Sequence, residues 1–352
     1  MSLRGFSMKK MYAGILAAIL IVIIVAAAWF AFFYKPTSPT QNKIGMILGT
    51  GGLGDKSFND IAYAGAMRAK EELGIEFNYA EPEAISEYEG FQTNFAKTGE
   101  YALVVCIGFD QADALNITAQ AYPNQNFAIV DMVVNLPNVA SLTFKANEGS
   151  FLTGVVAGMF TQTNKVGFVG GMDIPLIRDF YVGYKAGVEW ANPSATVLDP
   201  VFVGGWGDPT RGKELAVSLF GLGADGVFAA AGKSGLGALE AAHENGKMGF
   251  GVDSCQDYLY DEIIASATKR VDVAVYEMIQ DAIEGKFVGG KVYSGGLAEK
   301  WTGCSRLPDE ESFWEETFDF TYTALPENVV TKLTDTNAAI VAGTITVPSG
   351  YT

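Results

Sequence analysis

Histidine and cysteine are nearly absent. The 352-residue chain has one histidine, His243, and three cysteines, Cys106, Cys255 and Cys304. So small a set leaves little material for a zinc centre or a histidine-based catalytic triad, and neither a metal nor another cofactor is expected. Positive charge is also scarce: 24 Lys and Arg face 40 Asp and Glu, for a net charge of -16. Residues 1–42 hold no Asp or Glu and four basic residues, so the remainder carries 20 minus 40, or -20. A surface of that sign argues against nucleic acid or an anionic membrane surface as its partner.

Charge is missing altogether from Met11 to Tyr34. Roughly 24 such residues suffice to cross a hydrocarbon core of about 30 Å as a helix, and they exceed the ~7–15 of a signal-peptide core. Trp29, Phe30, Phe32, Phe33 and Tyr34 follow Ala26 to Ala28 as an aromatic belt, which favours an uncleaved anchor over a cleaved signal. Arg4, Lys9 and Lys10 precede the span and Lys35 alone follows it. The positive-inside rule then makes residues 1–35 a cytoplasmic stub and single-pass transmembrane helix in the cell membrane. Residues 36–42 read as a polar, Pro-containing tether, with everything beyond outside the cell. Disulfides persist there, so Cys255 and Cys304 either pair or stay free. Cys106, in the apolar run Leu103 to Ile107, reads as a small buried hydrophobe.

After the tether, short β-like runs alternate with longer helical ones. Candidate strands are 44–48, 76–79, 102–107, 127–130 and 139–144, with helices near 59–73, 86–97 and 110–121 between them. A second series adds strands near 166–169, 197–203, 226–230, 248–252 and 263–268, with helices near 149–160, 177–191, 210–222 and 235–245. This is the pattern of βαβ units on parallel sheets, in two α/β halves.

Open α/β sheets bind ligands at the carboxyl ends of their strands. Gly49 to Gly54 follow the first strand and precede the first helix, and Gly232 to Gly237 repeat that placement in the second half. Such a turn is expected to leave backbone N–H groups free beside a helix N-terminus. Gly49-Thr-Gly-Gly-Leu-Gly54 formally matches the dinucleotide fingerprint G-x-G-x-x-G, and Gly54-Asp-Lys-Ser57 approaches a phosphate-binding loop. Asp55 opposes both, by repelling a pyrophosphate and by separating Gly54 from Lys56. With Asp55, Ser57, Phe58 and Asn59, the turn suits a neutral ligand that has hydrogen-bonding edges and a flat ring. Asp131, Asp253 and Lys269 fall at other strand ends, where each Asp is either a ligand contact or a turn residue. Phe109, Phe180 and Trp206 are candidate stacking residues, Trp206 because glycines flank it.

Gly54-Asp-Lys-Ser-Phe-Asn59, Glu148-Gly-Ser-Phe-Leu-Thr-Gly154, Lys165-Val-Gly-Phe-Val-Gly-Gly171, Ala231-Gly-Lys-Ser-Gly-Leu-Gly237, Gly251-Val-Asp253 and Ala342-Gly-Thr-Ile-Thr-Val-Pro348 carry a resemblance. In these motifs, from about Lys43 to Pro348, the chain resembles the basic membrane protein family of ABC-transporter substrate-binding proteins. The resemblance implies a type I periplasmic-binding-protein fold: two Rossmann-like lobes, three hinge crossings, and a ligand between them. The first lobe would hold 43–145 with about 271–325, and the second 146–270 with about 326–352. Phe58 and Trp206 would sandwich a purine ring, Trp206 standing where relatives usually have Phe. Asp131 and Asn59, with Asp55 nearby, would address the base edge. Asp253 and Lys269, helped by Gly232, would bind ribose hydroxyls. Ser57, Gly108, Phe109 and Phe180 complete the expected ligand set.

The expected function is therefore extracytoplasmic capture of a nucleoside, with a purine favoured, for an ABC permease and its ATPase subunits, without enzymatic chemistry. Alternatives are a receptor of the same fold for a sugar or other small ligand, a nucleoside hydrolase using Asp55, Asp131 and Asp253, a dinucleotide-dependent enzyme, and a signalling ectodomain. Two departures from the family pattern stand out. No cysteine precedes Cys106 to carry a lipid, and the acidic, aromatic segment 301–322 fits poorly, as surface decoration or a partner contact.

Overall fold

The computed structural model describes residues 42–351. The expected anchor at 11–34 and most of the tether lie outside the described residues. Within them no helix is long and apolar enough to cross a membrane.

The first α/β unit runs β1 (Lys43–Ile47), α1 (Phe58–Leu73), β2 (Glu76–Ala80), α2 (Tyr88–Ala96), β3 (Tyr101–Ile107), α3 (Ala112–Ala121), β4 (Phe127–Val130) and β5 (Val139–Phe144). The second runs α4 (Ala146–Phe160), β6 (Lys165–Gly170), α5 (Pro175–Ala191), β7 (Thr196–Val197), β8 (Val201–Phe202), α6 (Pro209–Gly221), β9 (Gly226–Ala230), α7 (Lys233–Glu244), β10 (Met248–Asp253) and β11 (Ile263–Lys269). Then come α8 (Val271–Ile283), β12 (Val292–Gly295), β13 (Thr302–Cys304), α9 (Pro308–Phe318) and α10 (Glu327–Val341).

Two sheets result, in the orders β12-β5-β4-β3-β1-β2 and β13-β11-β10-β9-β6-β7, with β8 also on β6. The first is parallel throughout, and β13 is the antiparallel edge of the second. Helices cover both faces of each sheet. In the first unit Ile61 and Ala66 of α1 and Val275 and Ile279 of α8 pack on one side, while Tyr88 of α2 and Leu115 of α3 pack on the other. Coverage on both faces is why every residue of β3 and β4 is buried and why both read as unbroken apolar runs.

Three chain crossings join the lobes: Phe144 to Ala146, Lys269 to Val271, and Gly295 to Thr302. They lie side by side, since Lys145 N–H donates to Gly295 O at 2.8 Å and Arg270 N–H to Trp301 O at 2.8 Å. β13 joins the second sheet, while Trp314 packs in the first core and Leu333 and Ile340 of α10 in the second. After β13 the chain leans back on the first lobe. Trp301 and Trp314 are buried in that lobe's core, so segment 301–322 is structural packing rather than surface decoration.

Glycines let α4 and α5 touch backbone to backbone. A Cβ on Gly154 would lie 2.2 Å from Tyr184 O, and one on Gly187 would lie 2.0 Å from Phe151 O. All three cysteines are free and buried. Cys255 and Cys304 belong to the cores of different lobes, so the structure does not pair them. Cys255 instead meets the Tyr322 hydroxyl at 3.2 Å.

Candidate functional site

The turn between β1 and α1 does not leave most of its N–H groups free. Asp55 is 1% exposed, and its Oδ1 accepts from the N–H groups of Ser57 and Asp60 at 2.9 and 3.2 Å. Its Oδ2 accepts from Asn59 N–H and Nδ2 at 2.9 and 3.1 Å. Asp60 in turn takes Gly54 and Lys56 N–H at 2.8 and 3.0 Å, Glu81 takes Leu53 N–H, and the Asn59 Oδ1 takes Gly49 N–H at 2.8 Å. Two carboxylates thus do at this helix start what a phosphate does in a nucleotide-binding loop. Asp55 caps the helix and orders the loop, and it also lines the cavity between the lobes. Burial raises its pKa, and the N–H bonds oppose that rise.

In the second lobe, Gly232 turns the chain into α7 with a φ of 54°. The loop Gly204 to Asp208 is pinned to that helix start. Ser234 N–H donates to Trp206 O at 2.9 Å, and Asp208 N–H to Ser234 Oγ at 2.9 Å. Gly171 is the floor beneath the indole, because a Cβ there would lie 2.2 Å from the Trp206 ring. The indole is half-buried and meets Phe109 of the other lobe edge-on, ring centres 6.3 Å apart.

Asp131 and Asp253 stand at the carboxyl ends of β4 and β10, with φ of 69° and 64°. Left-handed backbone is costly for a residue other than glycine and gathers at functional sites. Lys269, at the end of β11, reaches from the second lobe to Asp131 Oδ2 at 2.5 Å, and both side chains are buried. Its ammonium also faces the rings of Phe58, Phe144 and Phe180 at 4.7, 5.1 and 5.8 Å. Asp131 Oδ1 is buried with no hydrogen-bond partner among the described residues. Ser57 Oγ crosses the cleft to donate to Asp253 Oδ2 at 2.8 Å. Burial pushes the Asp253 carboxyl up to about 6, against the pull of Lys269.

These groups surround a cavity of about 70 Å³ between the lobes, smaller than the roughly 300–1,000 Å³ usual for small-molecule sites. Eleven of the twelve residues expected from sequence line it, and Ser57 stands just behind Asp253. The expected split between base and ribose contacts is not kept apart in space, since Lys269 and Asp131 touch. Sequence reasoning missed Asp110, Thr50, Leu176, Ile177 and Lys233 on the cavity wall. Asp110 had the same signal as Asp131, a carboxylate just past a strand end.

Residues 42–348 match the family described as Bmp, ABC transporter substrate-binding protein PnrA-like. The chain is 33% identical over 314 residues to an uncharacterised lipoprotein of Pyrococcus abyssi, covering 84% of this chain and 77% of that protein. It is 32% identical to the ABC transporter nucleoside-binding protein BmpA of Lactococcus lactis, covering 82% of this chain and 90% of the relative. The crystal structure of an ABC transporter solute-binding protein from Aeropyrum pernix superposes with a TM-score of 0.76 at 30% identity, over 87% of this chain and 93% of the other. The two lobes are thus a periplasmic-binding-protein-like fold, and the chain belongs to the Bmp family of PnrA-like ABC transporter substrate-binding proteins.

Proposed function

We propose that this substrate-binding protein captures a nucleoside, preferably a purine nucleoside, outside the cell and delivers it to an ABC permease with its ATPase subunits. The observation that carries this reading is the composition of the interlobe cavity: aromatic rings from both lobes beside buried carboxylates, one of which has an unused oxygen. Phe58 and Trp206 offer faces for stacking a heterocycle. Asp131 Oδ1 supplies an acceptor that a ligand N–H or O–H satisfies, and Asp253 and Lys269 are suited to ribose hydroxyls. Asn59 retains one amide hydrogen for a ring nitrogen after bonding Asp55. The nucleoside-binding relative supports the same ligand class.

The site does no chemistry in this reading. Asp55, which a hydrolase would need beside Asp131 and Asp253, is committed to its own helix. Ser57–Asp253 and Asp131–Lys269 are contacts between lobes, so they form on closure and break on release. Anchorage through residues 11–34, N-terminus inside, belongs to the proposal.

Calorimetric titration of the purified full chain with adenosine, guanosine, inosine and cytidine tests it. Saturable one-to-one binding of at least one purine nucleoside is expected, and no heat from any of the four contradicts it.

A further inference from the structure

We infer that Asp110 is a specificity-determining residue that selects nucleosides whose ring edge carries an N–H donor. The inference rests on the nucleoside reading and sharpens it. Asp110 follows Phe109 on the cavity wall, beside the ring that meets Trp206. A Cβ built on Gly108 would lie 2.9 Å from Asp110 Oδ1 and 3.8 Å from the Phe58 ring, so the carboxylate and the ring edge border the same point.

The carboxylate is held from behind. Tyr88, fully buried, donates its hydroxyl to Asp110 Oδ2 at 3.0 Å and accepts Thr50 N–H at 3.1 Å. A carboxylate has about four acceptor sites, and Tyr88 fills one. Several neighbouring polar groups are already engaged. Asp55 serves its own helix, the Asn59 carbonyl holds Gly49, and Thr50 N–H holds Tyr88. Asp110 is therefore an acceptor placed beside Phe109 to read the heterocycle edge, in addition to Asp131 Oδ1 on the same cavity. An exocyclic amine or ring N–H satisfies it, whereas a bare C–H leaves a desolvated carboxylate unpaired.

The test is calorimetric titration of the full chain, wild type and Asp110→Asn, with adenosine, guanosine and purine riboside, which lacks every ring-edge N–H. Wild type is expected to prefer adenosine or guanosine over purine riboside by at least about tenfold. Asp110→Asn is expected to reduce that preference to within about threefold, weakening adenosine or guanosine and strengthening purine riboside. Should Asp110→Asn fail to fold, the wild-type comparison decides alone. Equal wild-type affinities for all three compounds overturn the inference and leave the nucleoside reading standing. Equal weakening of all three by Asp110→Asn also overturns it, showing a merely structural role. No binding of any of them overturns both.

Discussion

Lys269 Nζ lies 2.5 Å from Asp131 Oδ2, an ion pair buried between the carboxyl ends of strands from opposite lobes. Removing one member of such a pair leaves the other charged and desolvated, at a cost of about 3–5 kcal/mol. Here the cost falls on the closed state, because opening the cleft returns the surviving group to water. Lys269→Met is therefore expected to weaken ligand binding by at least about a hundredfold while shifting the ligand-free melting temperature little. Titration calorimetry and a thermal melt separate the two effects, and an affinity within about threefold of wild type contradicts the closed-state role of the pair.

Trp206 depends on a glycine far from it in sequence. A Cβ on Gly171 would meet the indole at 2.2 Å, well inside contact distance, whereas Gly205 has open space around its Cβ position. Gly171→Ala should displace the ring and weaken ligand binding by roughly 1–3 kcal/mol, the usual scale of overpacking, or about fivefold to a hundredfold. Gly205→Ala should leave affinity unchanged, and equal effects from the two contradict the proposed seat of the indole.

Glu310 is half-buried behind the hinge, where its Oε2 accepts from Thr268 Oγ1 at 2.8 Å and Trp314 Nε1 at 3.0 Å. Burial pushes its carboxyl up to about 7 from an ordinary 4.5, against those two bonds. The folded protein then holds a proton that the unfolded chain releases between those values. The resulting stability is full below about 4.5 and is lost as pH rises through 7. Glu310→Gln keeps an acceptor for both donors and removes the charge. It should be more stable than wild type at pH 8, by on the order of 3 kcal/mol, with the advantage fading towards pH 4.5. Chemical unfolding at both pH values checks the sign, and an advantage that grows as pH falls contradicts it.

How much of this was legible depended on the range over which each residue makes its contacts. β4 and β5 were read to the residue, because buried parallel strands are continuous apolar runs between turns. Asp131 and Asp253 could be placed on the cleft because strand ends mark it. The second role of Asp55, ordering its own helix start, was not legible because a carboxylate that caps a helix and one that faces a cavity look alike until hydrogen bonds can be counted. β12 and β13 went unread because four and three residues carry no usable period. Trp301 and Trp314 looked like surface aromatics because much of the core they fill comes from distant parts of the chain, Phe144 among them. The close approach at Gly154 and Gly187 was visible only as a glycine-containing motif, with no hint that it is where two helices meet.

The central claim is that one cavity recognises a heterocycle and a sugar together. Displacement of bound labelled adenosine from the full chain by adenosine, free adenine and ribose tests it most directly. The intact nucleoside is predicted to compete at concentrations at least about a hundredfold lower than either half alone, because linking two contacts makes the second intramolecular. Ribose that competes as well as adenosine, or adenosine that never binds, would contradict the account.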